Sequence, residues 1–168
     1  METGTSSTLQ KGELMIIRTF DAPREEVFRS FTECDRMKCW WGPRDYSAPS
    51  CTMDVREGGR YLNSMRSSDG HEYWSTGVFR EIHAPDRLVM TDCFADENGN
   101  VVPASHYGME GDWPLEMLLT VTLEEQDGKT RLTLRHSGLD KISDADREDM
   151  QQGWSESLDK LEGCLSRH

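Results

Sequence analysis

Apolar positions along the chain follow two periods, and their order predicts the elements. Residues 13–20 (ELMIIRTF) are rich in β-formers. Asp21, Pro23 and the acidic Glu25 and Glu26 then supply a capping residue, an early proline and first-turn negative charge. A strand therefore leads into a helix, whose short stripe is Val27, Phe28 and Phe31; a second short helix carries Met37, Trp40 and Trp41 and stops at Gly42 and Pro43. From there to about Ser137, β-rich runs are punctuated by turn signals at 57–59, 68–70, 84–86, 97–99 and 126–128, which predicts a meander of six antiparallel strands. One late strand alternates Leu115, Met117, Leu119, Val121 and Leu123 against a more polar set, the next repeats the pattern with Leu132, Leu134 and His136, and an earlier one offers Leu88, Met90, Asp92 and Phe94. One face is mostly apolar and the other wet, as in an antiparallel sheet covered on one side. Residues 77–83 are equally hydrophobic on both faces and give no phase.

Ser143 stands as an N-cap with Asp146 three residues on, and Met150, Trp154, Leu158, Leu161 and Leu165 follow at helical spacing. They predict one long amphipathic helix at the C-terminal end. Residues 1–11 lack apolar periodicity and read as a disordered tail, with a single domain over 12–168. Residues 96–114 are long, Gly-rich and irregular, with Tyr107, Met109 and Trp113 embedded; such a loop is either a lid over a site or decoration.

Composition narrows the function. The chain has 168 residues, enough to bury a sizeable core, with 35% hydrophobic and 30% charged residues. Nineteen Lys and Arg against 31 Asp and Glu give a net charge of −12, which disfavours nucleic acid and anionic membrane surfaces. No apolar run reaches signal-peptide or membrane-spanning length, so a cytoplasmic location is expected. Cys34, Cys39, Cys51, Cys93 and Cys164 form no metal-type spacing, and the expectation is isolated, buried, hydrophobe-like cysteines rather than a disulfide framework or zinc site.

The segments RTFDAPREEVF (18–28), WWGP (40–43), DVREGG (54–59), GVFREI (77–82), PDRLV (85–89), GKTRL (128–132) and GWSESLDKL (153–161), in that order, resemble the activator of 90-kDa heat-shock protein ATPase homologue-like family of the START-like superfamily. The resemblance implies an α+β helix-grip fold: a curved antiparallel sheet around the long C-terminal helix, with two short helices after the first strand. Relatives on this fold include carriers, cyclases, hydrolases and a chaperone-activating domain, so fold alone does not choose among them. The family commonly encloses a cavity. The inward residues that would line one here are Tyr61, Met65, Met90, Phe94, Met117, Leu119, Trp154 and Leu158, with nine methionines in the chain favouring an adaptable wall.

Asp92 and His136 fall on the inward faces and are the candidate polar anchors of a ligand. Trp40 is placed at the pocket mouth, core packing being the competing role for it or Trp41. A catalytic role for His136 requires a carboxylate within hydrogen-bond reach. The leading expectation is a cofactor-free protein, monomer or homodimer, that binds a small hydrophobic molecule. The alternatives are a protein-interaction domain modulating a chaperone ATPase, and a cyclase or hydrolase acting on an aromatic or polyketide-like substrate.

Overall fold

Leu14, Ile16, Arg18 and Phe20 alternate inward along the second strand, against which the last strand of the sheet pairs. The computed structural model describes residues 5–10 and 12–165, side chains from residue 12 onward. Its elements are β1 (Thr5–Gln10), β2 (Gly12–Phe20), α1 (Arg24–Thr32), α2 (Cys34–Trp40), β3 (Cys51–Met53), β4 (Arg60–Arg66), β5 (Glu72–His83), β6 (Arg87–Ala95), β7 (Met117–Gln126), β8 (Lys129–Leu139) and α3 (Asp144–Leu165), with a 3-10 turn at Ala104–Tyr107. All strand pairs are antiparallel, in the order β1-β2-β8-β7-β6-β5-β4-β3. After β2 the chain crosses through α1 and α2 to the far edge and meanders back until β8 closes against β2. The fold is the expected curved antiparallel sheet with a C-terminal helix and two short helices after the inner first strand.

A β-bulge explains why residues 77–83 have no readable phase. Phe79 pairs with Met90, but Glu81 pairs with Val89, so β5 carries one extra residue at Arg80. The buried side consequently shifts from Phe79 to Ile82, which packs against the same core. Two periods laid out of step in one strand cancel each other. Gly77, just before the bulge, lies where a Cβ would stand 1.9 Å from the Thr91 carbonyl oxygen and 2.8 Å from the Tyr61 ring, so only glycine lets these strands close up.

Several sequence expectations are corrected. Thr5–Gln10, assigned to a disordered tail, forms β1 on the edge of the sheet; residues 1–4 and 11 of that tail lie outside the described residues. Asp21 does not cap α1, which begins after Pro23 with no side-chain cap. Leu115 precedes β7 and is 58% exposed, so the inward series starts at Met117. Ser143 does cap α3, its hydroxyl accepting the Asp146 N–H at 3.1 Å.

The cysteines depart most from expectation. Cys34 pairs with Cys51, and Cys39 with Cys164, leaving Cys93 as a buried thiol. Local sequence carries no trace of these partners, because each bond joins elements that meet only in the folded chain. The first ties the start of α2 to β3, and the second ties the end of α2 to the last turn of α3.

The core fills the space under α1, α2 and the C-terminal half of α3. Phe20, Phe31, Trp40, Phe79, Leu132, Leu134, Leu158 and Leu161 are all fully buried there. The Trp40 indole N–H donates to the Ser30 carbonyl at 2.9 Å, which leaves the ring no unpaired polar atom in the interior. Arg18, 4% exposed on the inward face of β2, reaches α3 through Asp159 Oδ1 at 2.7 Å and Ser155 Oγ at 3.3 Å. A buried guanidinium that loses its carboxylate remains as a desolvated charge.

Two outcomes check this arrangement. Asp159→Ala is expected to lower the unfolding free energy by roughly 2 kcal/mol, discounted for the exposure of the carboxylate, as read from the urea midpoint. Mass spectrometry of the unreduced, denatured chain should find a single alkylatable thiol, and breaking the long-range Cys39–Cys164 link by Cys164→Ala should cost roughly 2–4 kcal/mol. Five free thiols would contradict the pairing.

Candidate functional site

The inward face of α3 runs through Asp146, Asp149, Met150, Gly153, Trp154 and Ser157 and then continues as Leu158, Leu161 and Cys164, a single stripe at helical spacing. Its second part is sealed into the core. Its first part stands off the sheet and roofs a cavity of about 480 Å³. The floor is Met65 on β4, Tyr73 on β5, Asp92 and Phe94 on β6, Met117 on β7 and His136 on β8. Trp41, Pro43 and Tyr46 after α2 form one side, and Tyr107, Met109 and Trp113 from the long loop form the other.

Aromatic rings lean on one another around this space. Tyr46 meets Tyr73 at 6.2 Å, Tyr73 meets Tyr107 at 5.3 Å, and Phe94 meets Trp113 edge-on at 5.9 Å. Trp41 meets Trp154 edge-on at 5.6 Å. Tyr107 is fixed through its hydroxyl, which accepts the Trp74 N–H at 3.0 Å and donates to the Ala95 carbonyl. On the other side Lys160 Nζ donates to the carbonyls of Pro43 and Tyr46 at 3.0 Å each, clipping that loop to α3; its partial burial lowers the pKa of the ammonium.

The polar groups of the floor are Asp92 and His136. His136 is 3% exposed. Its Nδ1 accepts the Trp154 indole N–H at 3.1 Å, which places the imidazole hydrogen on Nε2. Nε2 lies 3.1 Å from Asp92 Oδ2 but out of line, and it makes no hydrogen bond. The two residues reach toward each other across β7, since Asp92 is paired with Met117 and His136 with Leu119.

Of the sequence-predicted ligand residues, Met65, Asp92, Phe94, Met117, His136 and Trp154 line the cavity. Tyr61, Met90, Leu119 and Leu158 instead belong to the filled core beside it, because the sheet meets the helix directly at their level. Trp40 is also core, and its neighbour Trp41 takes the place at the cavity wall. Tyr46, Tyr73 and the loop aromatics were missed, apart from the mark the long loop made as a whole. Among the described residues no cluster of three or more His, Cys, Asp or Glu is arranged to hold a metal, and no helix is long and apolar enough to cross a membrane.

Comparison with known proteins fits this geometry. The profile of the family described as activator of Hsp90 ATPase homolog 1-like protein matches residues 21–166. The chain belongs to that family.

Solved structures similar to this Hsp90-activator-homologue-like chain include a protein from Nitrosomonas europaea, 24% identical with a TM-score of 0.74 over 95% of this chain and 97% of that one. A protein from Arthrobacter aurescens is 26% identical with a TM-score of 0.75, covering 97% and 92%. One from Silicibacter pomeroyi that carries the same family name is 23% identical with a TM-score of 0.72, covering 93% and 99%. No match was found among curated proteins. For this activator-homologue-like chain the likenesses fix family and fold, and the chemistry must be read from its own side chains.

Two acids beside the cavity are held in their neutral forms. Burial raises the Tyr61 phenol well above its ordinary range, with the Asp92 charge adding to it, and the hydroxyl donates to the Thr91 carbonyl at 2.7 Å. Burial first, and then the charges of Asp92 and Glu116, push the Cys93 thiol up to about 11. A thiol so placed is a poor nucleophile at neutral pH. Because Cys93 ionises later in the folded chain than in the unfolded one, its contribution to stability is present below pH 9 and lost as pH rises toward 11.

Cys93 is accordingly expected to react with iodoacetamide at pH 8 at least tenfold more slowly than free cysteine. In urea titrations, Cys93→Ala should flatten the fall in stability between about pH 9 and 11. Rapid alkylation of the native protein at pH 8 would contradict this reading.

Proposed function

We propose that the protein binds a small hydrophobic molecule in the cavity beneath the first half of α3. The observation that carries this reading is the cavity itself: about 480 Å³ of space, walled mainly by aromatic and methionine side chains, with Asp92 and His136 as the polar pair of its floor and Asp146 and Asp149 at its roof. Volumes of this order and walls of this chemistry are typical of small-molecule sites. Membership of the activator-homologue-like family is consistent with a binding or interaction domain. Its interior here offers a place for a guest.

Binding rather than turnover follows from the state of His136. A general base presents an unshared nitrogen lone pair to its substrate. In this site Nδ1 already receives the Trp154 indole hydrogen and Nε2 carries the ring hydrogen, so the imidazole has no unshared lone pair to offer a guest. The reading calls for no cofactor.

Gly153 has a matching role in the roof. A Cβ there would meet Pro43 at 3.5 Å, an ordinary contact, so the backbone tolerates alanine; glycine at mid-helix keeps the cavity wider at a cost of about 1 kcal/mol in helix stability.

The test is titration with the neutral probe N-phenyl-1-naphthylamine, followed by quenching of Trp41 and Trp154 and by enhancement of the probe. Met117→Trp, which fills the floor, should weaken binding tenfold or more while leaving the fold cooperative. Gly153→Ala should raise the melting temperature and weaken binding at the same time. An absence of saturable binding, or binding untouched by Met117→Trp, would remove the proposal and leave a surface-only interaction domain.

A further inference from the structure

Charge along the cavity wall is one-sided. Asp92 lies at the floor and Asp146 and Asp149 at the roof, and among the described residues that line the space there is no Lys or Arg. Asp146 is half-buried, whereas Asp149 stands exposed. A helix start explains acidic residues in the first turn of α3. It does not explain a carboxylate on β6, 16% exposed, in the middle of an aromatic chamber.

The neighbours of Asp92 bring it hydrogen-bond donors but no Lys or Arg: the Tyr61 hydroxyl lies within hydrogen-bond reach of the carboxylate, and the His136 ring stands beside it. Among the described residues its one neighbour at ion-pair distance is His136, which enters as the Nε2–H tautomer because Trp154 donates to Nδ1. That Nε2 is itself buried without a hydrogen bond. A largely buried carboxylate facing an apolar chamber, with a neutral hydroxyl and a misaligned ring N–H as its donors, is stabilised further by a cation that donates a hydrogen bond. The aromatic rings that line the same cavity, Trp41, Tyr73, Phe94 and Trp154 among them, offer π-faces that attract a cation.

Resting on the binding function proposed above, we infer that the ligand is a lipophilic organic cation: an amine, protonated at neutral pH, whose ammonium group lies against Asp92 and whose apolar body fills the aromatic chamber. Free carboxylic acids and sulfonates are the disfavoured class, since they would bring a second negative charge to the same floor. The chain's overall charge of −12 acts in the same direction by drawing cations toward the mouth.

A matched set with one skeleton separates this inference from the one beneath it. 4-Phenylbutylamine, 4-phenylbutanol and 4-phenylbutyrate are titrated at pH 7 by tryptophan fluorescence and by displacement of N-phenyl-1-naphthylamine. The amine should bind about tenfold or more tightly than the alcohol, with the butyrate weakest. Asp92→Asn should erase the preference for the amine while changing the alcohol's affinity less than about threefold. Equal binding of the three, or tightest binding by the butyrate, overturns the inference and leaves the cavity-binding function standing. Failure of all three and of the naphthylamine probe overturns both. The wild-type ranking decides the ligand class even if Asp92→Asn does not fold. A preference that survives Asp92→Asn and disappears in the Asp146→Asn, Asp149→Asn double variant would overturn the placement at Asp92.

Discussion

A straight helix cannot follow a bent sheet along its whole length, and the rest of this structure depends on where the two part. Leu158, Leu161 and Cys164 press the second half of α3 into the core, and Arg18 holds it from the sheet through Asp159. Toward its N-terminus the helix leaves that surface, and the same stripe of residues changes from packing to roofing. The cavity is the wedge between them, not an excavation within a core.

The wedge also decides which polar groups the interior tolerates. At the filled end, buried polar groups are tied to the backbone, as with Trp40 to Ser30 and Tyr61 to Thr91. At the open end Asp92 and His136 keep unused capacity. Asn63 Oδ1 and Ser64 Oγ on β4 are also buried without a hydrogen-bond partner, so the open end is set apart by where its unsatisfied group points: His136 Nε2 lies at the cavity floor.

Much of this was legible in the chain. The six-strand meander, the two short helices and the seam from Met150 to Leu165 each follow from period and punctuation, and the inward parity of Met117, Asp92 and His136 brought the polar floor into view. Parity states which face a residue takes but not how far along the wedge it lies. Met90 and Leu119 share the parity of Asp92 and Met117 yet sit where the gap has closed. The bulge at Arg80 hid the phase of β5, and β1 escaped notice because TSSTLQ carries no apolar alternation and gains its strand form from its pairing with β2. Disulfide partners and the ring of loop aromatics are facts of tertiary proximity, which no local period encodes. The substitution of Trp41 for Trp40 at the wall turns on a single residue of helix phase at the frayed end of α2.

The Cys39–Cys164 bond has a mechanical consequence. It fastens α3 covalently by its last turn, at the end remote from the mouth, so the helix behaves as a beam rooted on α2, while its first turns are held only by packing, Met150 and Trp154 resting against Leu14, Met117, Leu139 and Ile142. A beam built in at one end is displaced most at its tip and carries its greatest bending moment at the root. The covalent root is thus placed where a load on the roof of the cavity would be felt most, and it keeps the last turns of α3 seated on the core.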